Sequence, residues 1–339
     1  MTLRKFNFRS LKVENVTAGS NVVFGTANVS SSVSNTTIGF VTGWPSAYHP
    51  PPPPPHYQGS VAGYSSGDLT TDKFPFTSDT DGSLVGNLSV QRIFVTGQSS
   101  STHGYTSGGS EGATYYNIID NFPFSSDTNS TDVGDLSTVR RGGAGSSSES
   151  NGYNTGGNTG TPDSPTGTTV IDKFPFSANS PATNIASLVN SVRIAAGQNS
   201  STHGYSSGGF PSPSLYIQKY SFASDGNATS VGNLTAARYN MTGQSSDTHG
   251  YTAGGSSPTN RIDKFPFASD TNAATVGSLV GTRFGHAGHS STTFGYVSSG
   301  QTPSYSTEIE KFPFSSDTNS ALVGDVANIH ESGVGGTQV

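Results

Sequence analysis

The stretch Ile262–Asn272, IDKFPFASDTN, puts an acid, a base, a proline and two phenylalanines into one short segment, which is the density of chemistry a functional site would show. The chain repeats it. DKFPFTSDT begins at Asp72, DNFPFSSDT at Asp120, DKFPFSANS at Asp172, QKYSFASDG at Gln218 and EKFPFSSDT at Glu310, with a faded copy, RKFNFRS, from Arg4. The Phe-x-Phe pair (Tyr-x-Phe once) therefore starts at 6, 74, 122, 174, 220, 265 and 312. A period of about 47 residues marks stacked supersecondary units, each too small to bury a core alone. A segment that recurs in this way is read as scaffold: its aromatics pack between units and its Asp-Thr-Asn tail turns the chain.

Each unit holds four short strand candidates. Strand a ends in Ala-Gly-Gln or its equivalent, strand b reads HGYTSGG, strand c IDKFPF, and strand d surrounds VGxL. Alternating apolar residues separated by Ser, Asn, Asp and Gly turns make these strands rather than helices. The proline in FPF removes a ladder donor, so strand c is expected to have a free edge there or a bulge.

Strand b ending in Gly-Gly, strand c with an acid before an aromatic, and then Leu, Arg and small residues together resemble the kelch repeat over residues 38–337. Kelch repeats carry a Trp in strand d; here the single Trp is Trp44, and Val85, Val133, Val231, Val276 and Val323 stand near that place, which marks a divergent branch. The resemblance implies an all-β fold, a β-propeller of four-stranded antiparallel blades. The wording FPFASD, VGxL, R, GQSSSTHGYTSGG is also similar to repeat proteins of marine bacteriophages, those of cyanobacteria above all, and this second resemblance implies a virion protein.

Six units are complete. The C-terminal ESGVGGTQV begins another strand a, and residues 1–37 hold LRKFNF, LKVENV and NVVFGTANV. One C-terminal strand joined to three N-terminal ones would make a seventh blade and leave no exposed sheet edge. Seven blades are thus expected, with residues 1–37 closing the last one and the repeats running over 38–339; six blades with an N-terminal extension is the alternative.

Length variation is confined to one loop. The first aromatic of strand c and the glycine of strand a are 23 apart in six repeats (74 to 97 through 312 to 335), and that glycine and the Gly-Tyr of strand b are 7 apart in five. From Gly-Tyr to the next strand c the steps are 18, 22, 16, 15 and 17. Antiparallel blades place the b–c and d–a loops on one face, so the variable loops read as a recognition surface on a rigid body. They carry Tyr115, Tyr116, Phe210, Tyr216 and Tyr305, which are suited to stacking on a host-surface glycan or a protein partner; tolerated drift is the competing reading. Arg92, Arg140, Arg193, Arg238 and Arg283 follow VGxL at one register, with His330 in the last copy. They are read either as a cationic ring for carboxylate or sulfate groups or, preferentially, as the buttresses between blades that the kelch resemblance implies.

The opposite face has one exception to its fixed turns. FVTG at 40–43 and GYSSG at 63–67 repeat strands a and b, but WPSAYHPPPPPPHYQ, 44–58, is inserted between them. Pro50, Pro51, Pro52, Pro53, Pro54 and Pro55 should form a polyproline II rod of roughly 19 Å, flanked by Tyr48 and His49 before and His56 and Tyr57 after. With Trp44 this is a candidate attachment arm to other virion proteins or to copies of the same chain; a spacer that touches nothing is the alternative.

Composition narrows the function classes. A net charge of -6 with 16 Lys and Arg gives no basic patch for nucleic acid. No cysteine is present, which removes disulfides, thiolate metal sites and cysteine nucleophiles. No apolar run is long enough to span a membrane and no secretory signal is seen at the start, so a virion component made in a host cytoplasm is the expected location. His103, His203 and His249 recur in THGY, but equivalent positions in neighbouring blades lie too far apart to share a metal ion. The Asp-x-Asp and Asp-x-Asn tails offer too few oxygens for calcium and make turns by themselves. No cofactor or metal is expected. Neither a Gly-x-Ser-x-Gly elbow, a phosphate loop nor a His-Glu-x-x-His motif occurs. The reading is a non-enzymatic structural or recognition protein, a tail or capsid appendage; a stand-alone lectin-like propeller is the alternative.

Overall fold

The computed structural model describes residues 58–161, 164–210, 214–256, 259–302, 304–331 and 333–339. The segment 1–57 lies outside them, and with it the expected strands of 1–37 and the proline arm. Among the described residues every regular element is a β-strand, and six antiparallel sheets form the blades of a propeller.

Blade II is built from Thr96–Ser99, His103–Ser107, Ile118–Pro123 and Thr131–Asp135, strands a to d in order. Blade III uses Ala144–Ser147, Asn151–Thr155, Thr168–Pro175 and Thr183–Val192. Blade IV uses Ala196–Asn199, His203–Ser207, Tyr216–Ser221 and Thr229–Asn233, and blade V Thr242–Ser245, His249–Ala253, Arg261–Pro266 and Ala274–Ser278. Blade VI uses Ala287–Ser290, Phe294–Ser298, Glu308–Pro313 and Ala321–Asp325.

Blade I closes the ring. Its strands b and c run continuously through Ala62–Pro75, strand d is Ser83–Arg92, and its inner strand is the C-terminal Gly335–Gln338, with Gly63 opposite Gln338 and Ser66 opposite Gly335. The expectation of seven blades is thereby corrected to six. Residues 62–92 supply three strands with a bare inner edge, and the C-terminal strand a pairs with that edge.

The repeated segment earns its recurrence by gripping both neighbours. Ile262 and Asp263 are consecutive yet both buried, which strict alternation forbids; a register shift between them against strand d turns both inward. All six blades carry this bulge just before the acid, or before Gln218 in blade IV, and not at the proline; the proline has the expected free edge, since pairing with strand d ends at Lys264, before Pro266. Phe265 lies across Gly250 of strand b, where a Cβ would collide with its ring. Tyr205 of blade IV meets Phe265 and stacks on Phe267 at 4.9 Å, and the same Tyr-to-Phe seam joins every pair of blades, ending with Tyr296 on Phe76 at 4.6 Å. Lys264 pairs with Asp317 of blade VI, Asp270 accepts Lys219 of blade IV at 2.6 Å, and Asn272 Oδ1 accepts the backbone N–H of Asn233 at 3.0 Å. The Asp-Thr-Asn tail is thus a clasp on the preceding blade.

At the axis, the glycines of strand a, Gly97, Gly145, Gly197, Gly243, Gly288 and Gly336, form a ring in which a Cβ on each would strike the carbonyl oxygen of its neighbour. The inner strands therefore meet backbone to backbone around the axis. Below it a second ring forms from side chains: the N–H of Gln338 donates to Ser99 Oγ, Ser99 to Ser147 Oγ, Ser147 to Asn199 Oδ1, Asn199 to Ser245 Oγ and Ser245 to Ser290 Oγ, at 2.7–3.0 Å.

Candidate binding face

The b–c and d–a loops meet around the other mouth of the channel. Here the residues two before strand a, Phe94, Gly142, Ile194, Asn240, Gly285 and Gly333, all have positive φ, from 55 to 69°. Left-handed backbone costs energy at Phe and more at β-branched Ile. It is held by a chain of backbone bonds from blade to blade: Gly142 N–H to Phe94 O, Ile194 to Gly142, Asn240 to Ile194, Gly285 to Asn240 and Gly333 to Gly285, at 2.6–3.1 Å. The mouth they surround is a cavity of about 110 Å³ lined by Phe94, Ile194, Asn240, Met241, His286 and Val334. His286 is neutral there: burial, aided by Arg283, pushes its pKa down to about 3.

Four of the five arginines first assigned to this face are sealed beneath it. Arg92, Arg140, Arg238 and Arg283 are at most 1% exposed and pair across the blade boundary with Asp120, Asp172, Asp263 and Glu310 at 2.8–2.9 Å. Burial pulls the first three guanidinium pKa values down, and the facing carboxylates oppose that shift. Ser137 and Thr235, from the same d–a connections, also donate to Asp172 and Asp263. These arginines buttress the ring and are removed from the candidate ligand residues.

Arg193 is corrected in register. Counting from the strand d leucine, the buttress position in blade III is Val192, fully buried, and the acid opposite is Gln218. An ion pair has been exchanged for a neutral pair, with Gln218 Oε1 accepting Asn190 N–H at 2.8 Å. A second exchange lies at the blade II–III boundary. The Lys–Asp clasp of the other five boundaries is replaced there by Asn121 and Asn179, which line a shallow cleft with His103 and Phe176.

Arg193 and its register mate Arg141, which the sequence reading missed, sit at the loop face. Each forms an isolated backbone bridge to the first residue of the next b–c loop, Arg141 to Asn158 and Arg193 to Phe210. The Arg141 guanidinium lies 4.8 Å from the Tyr115 ring centroid and 5.0 Å from that of Phe94, and its Nη1 donates to Ser110 Oγ. Arg193 lies 4.3 Å from the Phe210 centroid, and Phe210 meets Tyr239 edge-on at 5.3 Å. Asn158 Nδ2 donates to Tyr115 Oη at 2.8 Å. The structure thus gathers Tyr115, Phe210 and Arg193 with Arg141, Phe94 and Tyr239.

The other aromatics lie apart. Tyr116 Oη donates to Glu111 at 3.3 Å, on the short hairpin Ser110–Glu111 and Thr114–Tyr115. Tyr216 starts strand c of blade IV, half exposed. Tyr305 borders a separate cleft with Val280, Ile329 and Glu308. Trp44, Tyr48, His49, Pro50–Pro55, His56 and Tyr57 lie outside the described residues. The residues that follow them are placed: Gln58 Nε2 donates to Ser245 O at 2.9 Å and Gly59 N–H to Ser290 O at 2.7 Å, beside the axis on the a–b face.

The repeated histidines each face a neighbouring hydroxyl, His103, His203 and His249 Nδ1 lying 2.8–2.9 Å from Thr102, Thr202 and Thr248 Oγ1. Burial, followed by Lys219 and Lys264 respectively, lowers the pKa values of His203 and His249. No family model matches the chain, and comparison with curated proteins returns no match.

Proposed function

We propose that this six-bladed propeller is a divergent kelch-like, non-enzymatic recognition module carried on a bacteriophage virion as a tail or capsid appendage. Its b–c face engages a partner, and the a–b face turns toward the particle. The observation that carries the reading is the contrast between the two faces. Aromatic seams repeat around the ring and the Lys–Asp clasp recurs at five of its six boundaries, whereas the b–c mouth gathers unlike residues, Arg141, Arg193, Tyr115, Phe210 and Tyr239. The kelch-like assignment draws on Gly-Gly after strand b, the acid before the strand c aromatic and the buttress arginine, and the virion placement draws on the resemblance to marine phage repeat proteins. Gln58 and Gly59, anchored beside the axis on the a–b face, support attachment through the segment that precedes them.

Particles purified from the native source by density gradient test this placement. The chain is expected to co-sediment with intact particles at fixed copy number. Recovery only as a free monomer would overturn the virion reading in favour of a stand-alone lectin-like module.

A further inference from the structure

We infer that Arg141 and Arg193 form an anion subsite that takes the carboxylate or sulfate group of an acidic polysaccharide, with Tyr115, Phe210 and Tyr239 offering flat surfaces to its sugar rings. The inference deepens the proposed recognition role and rests on it.

The two arginines are neighbours by construction. Each precedes a member of the left-handed ring, and those members, Gly142 and Ile194, share the ring's shortest backbone bond, 2.6 Å. Neither arginine has a carboxylate partner among the described residues, whereas the arginine directly before Arg141 is paired with Asp172 at 2.9 Å. Two partly buried like charges disfavour each other, and the Arg193 pKa is lowered by burial first and by Arg141 second. An anion placed between them relieves both effects.

The side chains are also preset. Aromatic rings hold the guanidinium planes on their faces, a cation–π arrangement that leaves the N–H edges for hydrogen bonding. Ser110 Oγ fixes one edge of Arg141, so the side chain need not be ordered on binding. A neutral glycan would use the aromatic surfaces and leave the two charges unanswered.

The test uses the full chain, biolayer interferometry and three immobilised polymers: alginate for carboxylate, dextran sulfate for sulfate and dextran as the neutral scaffold. Binding to one or both anionic polymers and not to dextran is expected, weakening between 50 and 300 mM salt because exposed charge attraction is screened. Arg141→Gln and Arg193→Gln should each weaken it about tenfold, as loss of a charge-assisted hydrogen bond does. Arg193→Lys should retain an intermediate affinity, since charge survives without the planar fork. Thermal midpoints measured alongside should stay within about 2 °C of wild type, which separates lost binding from lost folding. Equal binding to dextran, or anionic binding unchanged by either Gln variant, overturns the subsite. No binding to any polymer overturns it as well and leaves the virion placement to the sedimentation result.

Discussion

His289 occupies the strand a position at which Gln98, Gln198 and Gln244 stand in other blades. The glutamines reach the next blade, as when Gln198 Nε2 donates to Tyr251 O at 3.1 Å. His289 is as buried as these glutamines and also reaches the next blade, its Nδ1 lying 3.2 Å from Thr337 O; burial, opposed by that carbonyl, pushes its pKa down to about 4. With His286 at about 3, the unfolded chain takes up protons below its ordinary 6.5 that the fold refuses. Stability contributed by both histidines is therefore complete above pH 6.5 and is lost as pH falls from 6.5 toward 3–4. Thermal midpoints measured from pH 7.5 to 4.5 should decline, and His289→Gln should make that decline shallower; an unchanged slope would refute the assignment. The buttress residues give a second test. Arg238→Val leaves Asp263 buried without its cation and should cost about 3–5 kcal/mol. Adding Asp263→Gln reproduces the Val192/Gln218 pair of the III–IV boundary and should recover at least half of that in chemical denaturation. If the double variant is no more stable than the single, blade III owes its neutral pair to something else in its surroundings.

At the scale of the element, the inner strands are limited by how closely their backbones approach. Gly197→Ala would drive a Cβ into the Gly145 backbone, with no flexible side chain to yield. A loss of about 3 kcal/mol is expected, at the upper end of overpacking costs, against a negligible effect for Gly226→Ala, which faces open space; comparable midpoints for the two would contradict the ring. Much of this level was legible before any coordinates. The strands and the scaffold role of IDKFPFASDTN follow from residue spacing alone, whereas the last repeat departs from the expected spacing: its inner glycine is Gly336 and not Gly335, so one extra residue lies in its d–a connection. At the proline the free edge is found and not the bulge, which lies between Ile262 and Asp263; both are buried, and burial of an acid is not visible in a pattern of apolar residues. Arg140 and Arg141 show the same limit: identical neighbours in one d–a connection, one sealed against Asp172 and one on the face. Arg193 was grouped with the buttresses because blade III carries valine at that register, so its arginine comes one residue later.

For the whole molecule, closure is the decisive property, and here sequence had two answers. FVTG at 40–43 and GVGG at 333–336 both fit an inner strand, and only tertiary pairing chooses the C-terminal one for the bare edge at 63–66. Removing residues 335–339 should abolish the single cooperative unfolding transition and expose a sheet edge, which size-exclusion chromatography would read as aggregation; a truncated chain that still melts in one step as a monomer would argue against closure by this strand. The proposed division of labour between the faces depends on that closed disc. A cryo-EM map of the chain in its native particle tests it most directly. The account requires six blades, with the mouth bearing Arg141 and Arg193 directed away from the particle and the face bearing Gln58 directed toward it. Seven blades, or a disc whose b–c mouth is buried against its neighbours, would contradict it.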